Sequence, residues 1–218
     1  MYLTVDDIVK ENRISGRGFT PDGAPRPFTN EEFFEISREM GATQENPAYR
    51  SLFEALAQWI RGTLGVTRAL EIGSGPGYLL NCLNELGVDA QGVDGNPYSR
   101  AFFVCQHPRF AHRYALDPTF SNKYQPVDAL VSIEVFEHIP DDGLHNILKK
   151  VREELHPKYF VFSSTPHADP NEHWDLQWGH INIKQPAEWD RLFAQYGYNR
   201  TALRPPVTEW AALYASSN

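Results

Sequence analysis

One short stretch of the chain, from Ala69 to Gly77, constrains the fold more than any other. It reads A-L-E-I-G-S-G-P-G, so an apolar strand runs directly into three glycines that alternate with other residues. Glycine lets the backbone adopt positive φ and has no Cβ to hold a ligand away, and the helix that follows presents free N-terminal amides. The stretch predicts a strand, loop and helix that bind a nucleoside cofactor.

The spacing of the glycines narrows the class of cofactor. Gly73, Gly75 and Gly77 form G-x-G-x-G, whereas the dinucleotide fingerprint is G-x-G-x-x-G, and Tyr78 takes the place of its last glycine. A P-loop would need Gly-Lys-Ser/Thr to hold phosphates and magnesium, and no lysine lies near these glycines. A phosphate ligand and a nicotinamide-dependent dehydrogenase are therefore both disfavoured.

Two carboxylates indicate the kind of nucleoside. Glu71, beside the loop, would repel a pyrophosphate but suits the ammonium group of an amino-acid-bearing nucleoside such as S-adenosylmethionine. Asp94 ends a second short strand, A-Q-G-V-D, about 20 residues further on, where a carboxylate meets ribose hydroxyls. We expect Asp94 to accept hydrogen bonds from both hydroxyls.

Three motifs follow one another along the chain: E-I-G-S-G-P-G, then G-V-D, then D-A-L-V-S-I-E-V-F-E-H-I. In this order they resemble the motifs of the class I S-adenosylmethionine-dependent methyltransferases, and the resemblance covers roughly residues 68–198. The resemblance implies an α/β, Rossmann-like fold: a mostly parallel seven-stranded sheet with helices on both faces and an antiparallel last strand inserted between its neighbours. It also implies S-adenosylmethionine as cofactor. The residues expected to contact it are Glu71, Gly73, Ser74, Gly75, Gly77, Asp94, Gly95, Asp117 and Glu134, with Asp117 near the adenine; the alternative for Asp117 is an ordinary loop or cap residue.

Composition limits the partners and the compartment. A chain of 218 residues buries a sizeable core, and its net charge of −8 without a run of Lys and Arg argues against a nucleic-acid partner. Cys82 and Cys105 form no C-x-x-C pair and predict small buried residues in a reducing compartment. No apolar run approaches the ~18 residues of a membrane span, so we expect a cytoplasmic protein; the sequence does not indicate the oligomeric state.

The chain divides into an N-terminal region and a core. Residues 12–28 are dense in Gly and Pro and predict an irregular arm. We assign residues 1–65 to this arm and two helices, a lid or cap of the same domain, and residues 66–218 to the methyltransferase core. The alternative for the N-terminal helices is simple packing against the sheet.

Cap signals and apolar periodicity predict alternating helices and strands. The first two helices begin after the caps Thr29 and Asn46. The later predicted elements are strand 68–72, helix 77–86, strand 89–93, helix 97–106, strand 111–115, strand 127–133, helix 141–155, strand 158–163, a loop over 166–180, helix 186–197, and strands 199–203 and 208–214.

The segment Glu134-Val-Phe-Glu137-His138 carries the strongest catalytic signal. Glu134, Glu137 and His138 stand at i, i+3 and i+4, one face if the stretch is a helical turn. Two carboxylates and an imidazole suit Mg²⁺, Mn²⁺ or Zn²⁺ and leave positions open for substrate oxygens. His180, in W-G-H-I-N, is the candidate fourth ligand.

The E-x-x-E-H motif with a distant His resembles the metal-dependent RNA 3′-terminal 2′-O-methyltransferases, and E-x-x-E-H alone resembles the quinone-biosynthesis O-methyltransferases. That resemblance implies a metal that grips the hydroxyls being methylated. The alternative is a metal-free site in which His138 is the general base and His167 the second candidate. The candidate catalytic residues are therefore His138, Glu137 and His167.

The favoured function is O-methylation of a small-molecule acceptor, a sugar, polyol or phenol. The RNA alternative is weaker because Gly179, Ile181 and Asn182 surround the distal His, where the RNA enzymes have a basic and aromatic stretch. A non-catalytic cofactor-binding scaffold is the second alternative. Aromatic residues in or beside the C-terminal loop either stack on the acceptor or pack the loop onto the sheet; they are His173, Trp174, Trp178 and Trp189.

Overall fold

The computed structural model describes residues 2–171 and 173–217, and in this part of the chain seven strands form one sheet. The strands are β1 (Arg68–Ile72), β2 (Asp89–Asp94), β3 (Tyr114–Leu116), β4 (Ala129–Ile133), β5 (Tyr159–Ser163), β6 (Tyr198–Arg200) and β7 (Ala212–Ser216). Their order is β3-β2-β1-β4-β5-β7-β6. β1 to β5 pair in parallel and β7 lies antiparallel between β5 and β6, which confirms the predicted sheet.

Helices cover both faces of the sheet, as expected. They are α1 (Val5–Ser15), α2 (Asn30–Glu39), α3 (Pro47–Gly62), α4 (Tyr78–Glu85), α5 (Pro97–Gln106), α6 (Asp141–Lys150), α7 (Trp174–Trp178) and α8 (Pro186–Gln195). Two 3₁₀ turns span Pro108–Arg113 and Phe136–His138, and a wider π-helical turn, Val151–Leu155, continues α6. No helix of the described residues is long and apolar enough to cross a membrane.

The core consists of two apolar layers because successive side chains of a strand point to opposite faces. Leu70, Leu130 and Phe160 of the three central strands pack beneath α6 and α8. Val131 and Val161, their neighbours in sequence, pack beneath α3 and α4. Central strands buried on both faces explain the nearly continuous apolar run at β4.

Two short helices lie where the sequence predicted irregular chain. Helix α1 extends through residues 12–15 of the predicted arm; Thr4 and Asp7 form a capping box at its start and Gly16 ends it in the left-handed conformation. Helix α7 lies within the predicted loop over 166–180. Five residues are too few to show helical periodicity in the sequence, which is why α7 was missed.

The other differences are shifts in strand boundaries. The predicted strand over 111–115 begins at Tyr114, because the residues from Pro108 onward form a 3₁₀ turn in which the Phe110 amide donates to the His107 carbonyl (2.9 Å). The predicted last strand over 208–214 begins at Ala212 instead, after a turn closed by the Ala211 amide. Both shifts leave the order of elements unchanged.

Candidate functional site

A cleft of about 670 Å³ opens beyond the carboxyl ends of β1, β2 and β4. This is where ligands bind in open α/β sheets. Eight of the nine residues predicted to contact a cofactor line the cleft: Glu71, Gly73, Ser74, Gly75, Asp94, Gly95, Asp117 and Glu134. Gly77, the ninth, is not among the lining residues.

The three loop glycines have different structural roles. A Cβ on Gly73 would lie 2.1 Å from a methyl group of Val135, and one on Gly77 would lie 2.1 Å from the ring of Phe103. These two glycines allow the loop and α4 to pack closely. A Cβ on Gly75 would meet no atom within 4 Å, although its φ is +50°. Gly75 is therefore the loop glycine whose missing side chain leaves the cleft open.

Glu71 ends up as an incompletely satisfied carboxyl group in the cleft. Its side chain lies on β1 and is 5% exposed, and Oε2 has no hydrogen-bond partner among the described residues. Burial raises the pKa of Glu71 to about 8; the hydroxyl of Ser74 offsets part of this shift and the negative charge of Asp94 adds to it. A cationic ligand group beside Oε2 would stabilise the ionised form.

Asp94 is held rigidly by the backbone around it. Its Oδ2 accepts from the Gly75 amide (2.8 Å) and its Oδ1 accepts from the Asn96 amide (2.6 Å). Burial is the largest influence on the Asp94 carboxyl and raises its pKa. Because each carboxylate oxygen has a second lone pair, Asp94 retains the capacity to accept from two hydroxyls.

Two tyrosines beside Glu71 were missed in the sequence analysis as cleft residues. The Tyr78 hydroxyl is buried without a hydrogen-bond partner in the described part of the chain, and the Tyr49 ring lies edge-on to the Tyr78 ring at 5.5 Å. Burial and the charge of Glu71 raise the pKa of Tyr49 above its ordinary range. Tyr49 comes from α3, so no local motif links it to the glycine loop.

Asp117 lines the cleft, but the loop that follows it uses both of its carboxylate oxygens. Oδ1 accepts from the amide and hydroxyl of Ser121, and Oδ2 accepts from the Asn122 amide and the Tyr124 hydroxyl, both at 2.8 Å. Burial raises the pKa of Asp117, but these bonds outweigh it and the net shift is downward. The contacts match the alternative of a loop-capping residue.

Glu134 does not share a helical face with Glu137 and His138. It has φ +53°, a left-handed conformation that is uncommon for a residue with a side chain, and the 3₁₀ turn begins only at Phe136. Its Oε1 accepts from the Trp210 indole nitrogen (2.9 Å) and from the Ser163 hydroxyl. The stretch is therefore not one continuous helical turn, and the shared face that depended on such a turn does not include Glu134.

Three of the four predicted metal ligands nevertheless converge. Glu137, His138 and His180 each place one ligand atom within 4.8 Å of the others. The Glu137 carbonyl accepts from the amides of Ile181 and Asn182 (2.9 Å each), which brings the C-terminal loop to the 3₁₀ turn. Glu134 is not part of this three-residue cluster.

Glu137 of the cluster is buried, and the two histidines are half-buried. Glu137 is 1% exposed, its Oε2 accepts from the Ser164 hydroxyl (2.8 Å), and burial together with Glu134 raises its pKa. Burial, with a smaller effect of His180, lowers the pKa of His138 to about 4. His180 Nδ1 lies 2.8 Å from Asp175 Oδ1, an orienting contact typical of metal-binding histidines.

A second cavity, of about 470 Å³, adjoins the cleft. Phe33, Glu134 and His138 line both. The remaining residues around it include His167, Asp169, Trp174, Asp175, Trp178, His180 and Trp210. Trp210 was not predicted, because it lies more than 70 residues from the E-x-x-E-H segment and belongs to no motif.

Trp189 has a different role from the other predicted aromatic residues of the C-terminal region. It is 2% exposed in the core beneath α8, with its ring 5.0 Å from that of Phe162. For Trp189, the alternative of packing onto the sheet is correct. Trp174 and Trp178 instead line the second cavity.

Residues 29–203 match a family model described as a methyltransferase domain. The chain therefore belongs to this methyltransferase family. With its sheet order and cleft, it is a class I S-adenosylmethionine-dependent methyltransferase. Among curated proteins, no sequence relative is found.

Solved structures with the same fold include methyltransferases that are described with different acceptors. The methyltransferase domain of bacterial CtHen1 matches with TM-score 0.58 and 19% identity over 78% of this chain and 98% of that chain; HEN1 is described as a small RNA methyltransferase. The N-methyltransferase NodS from Bradyrhizobium japonicum matches with TM-score 0.60 and 15% identity over 81% of this chain and 100% of that one. Human N-acetylserotonin methyltransferase, in complex with S-adenosylmethionine, matches with TM-score 0.58 and 12% identity over 87% of this chain and 57% of that chain.

The cleft fits the cofactor of this family. S-adenosylmethionine carries an ammonium group and two ribose hydroxyls. The cleft offers the Oε2 of Glu71, which has no hydrogen-bond partner in the described part of the chain, and the remaining lone pairs of Asp94. The open space at Gly75 leaves room for the cofactor along the loop. These features belong to this chain and do not depend on its likeness to other solved structures.

Proposed function

We propose that Glu71 binds the ammonium group of S-adenosylmethionine and Asp94 its ribose, with Gly73, Ser74 and Gly75 along the cofactor. The supporting observation is the buried Oε2 of Glu71, which lacks a partner among the described residues and faces the cleft. A buried carboxylate is costly unless paired, so a cationic ligand group would compensate for its burial.

We propose that the enzyme O-methylates a small-molecule acceptor bound in the second cavity. The cluster of Glu137, His138 and His180 carries this proposal, because it lies where the cleft and the second cavity meet. Small-molecule methyltransferases among the solved structures of this fold support an acceptor of this size. Methyl transfer requires the acceptor oxygen in line with the sulfonium methyl group, and two cavities that share lining residues would let the cofactor and the acceptor meet.

The donor set of the cluster fits a divalent cation. Two imidazoles and one carboxylate are ligands that Mn²⁺ and Zn²⁺ accept, and three protein ligands leave positions open for acceptor oxygens. When bound, such a cation lowers the pKa of a coordinated hydroxyl. The lowered pKa of His138 keeps its imidazole neutral near pH 7, as a ligand must be, and makes it a weaker general base than an ordinary histidine.

The N-terminal region is proposed as a cap over the site. Phe28 and Phe33 line the cleft, and Asn96 Nδ2, directly after β2, donates to the Asn30 carbonyl at the start of α2 (2.8 Å). Phe33 also lies edge-on to the Trp178 ring at 4.5 Å. These contacts support a cap that is tied to both the cofactor loop and the second cavity.

RNA 2′-O-methylation is the second candidate function. It is favoured by the likeness to the CtHen1 methyltransferase domain together with the Glu137, His138 and His180 cluster. Against it stand the net charge of −8 and the absence of lysine and arginine among the described residues that line the second cavity.

Calorimetric titration of Mn²⁺ into the S-adenosylhomocysteine complex tests the cluster. We expect one site in the wild type, affinity at least about tenfold lower in His180→Ala, since even outer-shell partners of a metal are worth about 10–100-fold, and no change in His112→Ala. His112 is an exposed histidine in a 3₁₀ turn and serves as the matched control. Equal affinities in all three proteins, or no Mn²⁺ binding to the wild type, would contradict the metal site.

Release of S-adenosylhomocysteine then distinguishes the acceptors. We expect turnover with hydroxylated small molecules and none with an RNA oligonucleotide that has a free 3′ end. Turnover with the RNA and with none of the small molecules would instead establish RNA 2′-O-methylation. Failure of S-adenosylhomocysteine to bind folded protein would contradict the cofactor assignment itself.

A further inference from the structure

The second cavity has an unusual balance of charge. Four carboxyl groups line it, from Glu134, Glu137, Asp169 and Asp175, while its described lining includes no lysine or arginine. A doubly charged cation at the proposed metal site would offset two of these negative charges at most. The cavity therefore favours cationic acceptors and disfavours anionic ones.

The carboxylates of the second cavity differ in the number of hydrogen bonds that they already accept from the protein. Asp175 accepts from the Asp169 amide through Oδ2 (2.9 Å) and contacts His180 through Oδ1. Glu134 binds Trp210 through Oε1. In Asp169, Oδ1 accepts from both the backbone amide and the side-chain amide of Asn171 (2.8 Å each), and Oδ2 takes part in none of these bonds. No hydrogen bond joins Asp169 Oδ2 to a residue that the structure describes, so this oxygen can accept from a ligand.

Aromatic rings form the other walls of the cavity. Trp174, Trp178, Trp210 and Phe33 all line it. The indole nitrogen of Trp210 is fixed on Glu134 (2.9 Å), and the Trp178 ring is braced edge-on by Phe33 at 4.5 Å. Aromatic faces attract ammonium groups and pack against the carbon–hydrogen faces of saturated rings. Rigid aromatic walls with carboxylates between them suit a polar ring that carries positive charge.

We propose that the acceptor is a hydroxylated ring that bears an ammonium group, such as an amino sugar or an aminocyclitol, and that Asp169 binds this ammonium group. The proposal rests on the assignment of the second cavity to the acceptor. It goes further in predicting that charge, and not only shape, selects the acceptor. A phosphate or carboxylate on the same ring would be rejected by Asp169 and Glu134.

Three probes on the same pyranose ring test the charge preference: methyl glucosaminide has an ammonium group at C2, methyl glucoside has hydroxyls at C2 and C6, and methyl glucuronide has a carboxylate at C6. Binding to the S-adenosylhomocysteine complex is followed by quenching of tryptophan fluorescence, with Mn²⁺ and with a chelator. We expect the glucosaminide to bind at least about tenfold more tightly than the glucuronide, a difference of about 1.4 kcal/mol, with the glucoside between them. Tighter binding of the glucuronide, equal binding of all three or no binding of any would overturn the proposal.

The variant Asp169→Asn identifies the residue responsible. Asparagine keeps an oxygen acceptor for the Asn171 turn and removes the charge, so we expect it to weaken the glucosaminide alone and leave the glucoside unchanged. Equal loss for both probes would show a merely structural role for Asp169. Asp142→Asn, an exposed carboxylate at the start of α6, is the matched control and should leave both affinities unchanged.

The failure of this proposal is distinguishable from failure of the proposed function. S-adenosylhomocysteine binding and Mn²⁺ binding are measured before any sugar is added. If both bind and the order of the probes is reversed, only the charge preference is overturned. If neither binds, the cofactor and metal assignments are contradicted first.

Discussion

Replacing Glu71 with glutamine should stabilise the ligand-free protein near neutral pH and weaken its affinity for S-adenosylmethionine. The reason is that burial raises the pKa of Glu71 from its ordinary 4.5 to about 8. At pH 7 the unfolded chain has lost this proton and the folded chain has kept it. Folding must therefore take up a proton, which costs about 1.4 kcal/mol for each pH unit above 4.5.

The magnitude follows from that interval. Between pH 4.5 and pH 7 the cost reaches about 3 kcal/mol at most. Glutamine has nearly the same shape but no titratable group, so Glu71→Gln should recover up to this amount. For a chain of this size, 1 kcal/mol corresponds to about 2–4 °C in Tm, and we expect a rise of up to about 6–12 °C at pH 7.

The sign of the pH dependence is the stricter test. A carboxyl group whose pKa is raised by folding contributes its full stability below pH 4.5 and loses it as pH rises towards 8. The wild type should therefore lose stability over this interval relative to Glu71→Gln, and the two should converge near pH 4.5. Urea unfolding at several pH values measures this, with the exposed Glu154→Gln as the control.

Cofactor binding should change in the opposite direction. An ammonium group beside Oε2 favours the ionised carboxylate, so binding below pH 8 should release a proton, which calorimetry in two buffers of different ionisation enthalpy detects. Glu71→Gln should abolish this release and lower affinity. A variant that is less stable than the wild type at pH 7, or that binds the cofactor equally well, would refute the reasoning.

Four further substitutions test the cleft by urea unfolding and by titration with S-adenosylhomocysteine. Gly73→Ala should destabilise the fold by more than about 2 kcal/mol, because its Cβ would overlap a neighbouring methyl group and its φ is +75°. Gly75→Ala should cost only about 1–2 kcal/mol of left-handed strain but weaken cofactor binding; equal destabilisation by both would contradict their different surroundings. Asp94→Asn should lower both stability and affinity. The side-chain NH₂ group of the asparagine would lie against the backbone amide of Gly75 or Asn96, which in the wild type donates to the carboxylate. Tyr78→Phe should leave stability unchanged or raise it, since its buried hydroxyl has no partner among the described residues, and should lower affinity; a marked loss of stability would show a protein partner.

The cofactor side of the site was predictable because its signals are short-range. Glu71 and Asp94 lie near the carboxyl ends of β1 and β2, the glycine loop follows β1, and adjacent parallel strands end at the same edge of the sheet. Cap residues fixed the start of α2 and α3 in the same way, since capping depends on residues two or three positions apart. That the glycine loop, Glu71 and Asp94 contact the cofactor stays a prediction.

The acceptor side depended on tertiary structure. Nothing near the E-x-x-E-H segment indicates that Trp210 binds Glu134, or that Asp169 shares a cavity with His138. Glu134 lines the same cavity, and burial together with the charge of Glu134 raises the pKa of Glu137. Contrary to what the i, i+3, i+4 spacing predicted, Glu134 is not among the three residues whose ligand atoms all lie within 4.8 Å of one another.

The sequence by itself determined the order of helices and strands along the chain and the position of the glycine loop, because capping hydrogen bonds and apolar periodicity are encoded within a few residues. Its motifs also carried the resemblance that implied the fold class, whereas the order of the strands in the sheet came from the structure. Only the tertiary structure brought Glu137 and His138 together with His180, and Tyr49 beside Glu71. These pairs lie more than 20 residues apart, and their meeting depends on how helices and loops pack over the sheet. That packing is a collective property of the apolar core, and no single motif specifies it.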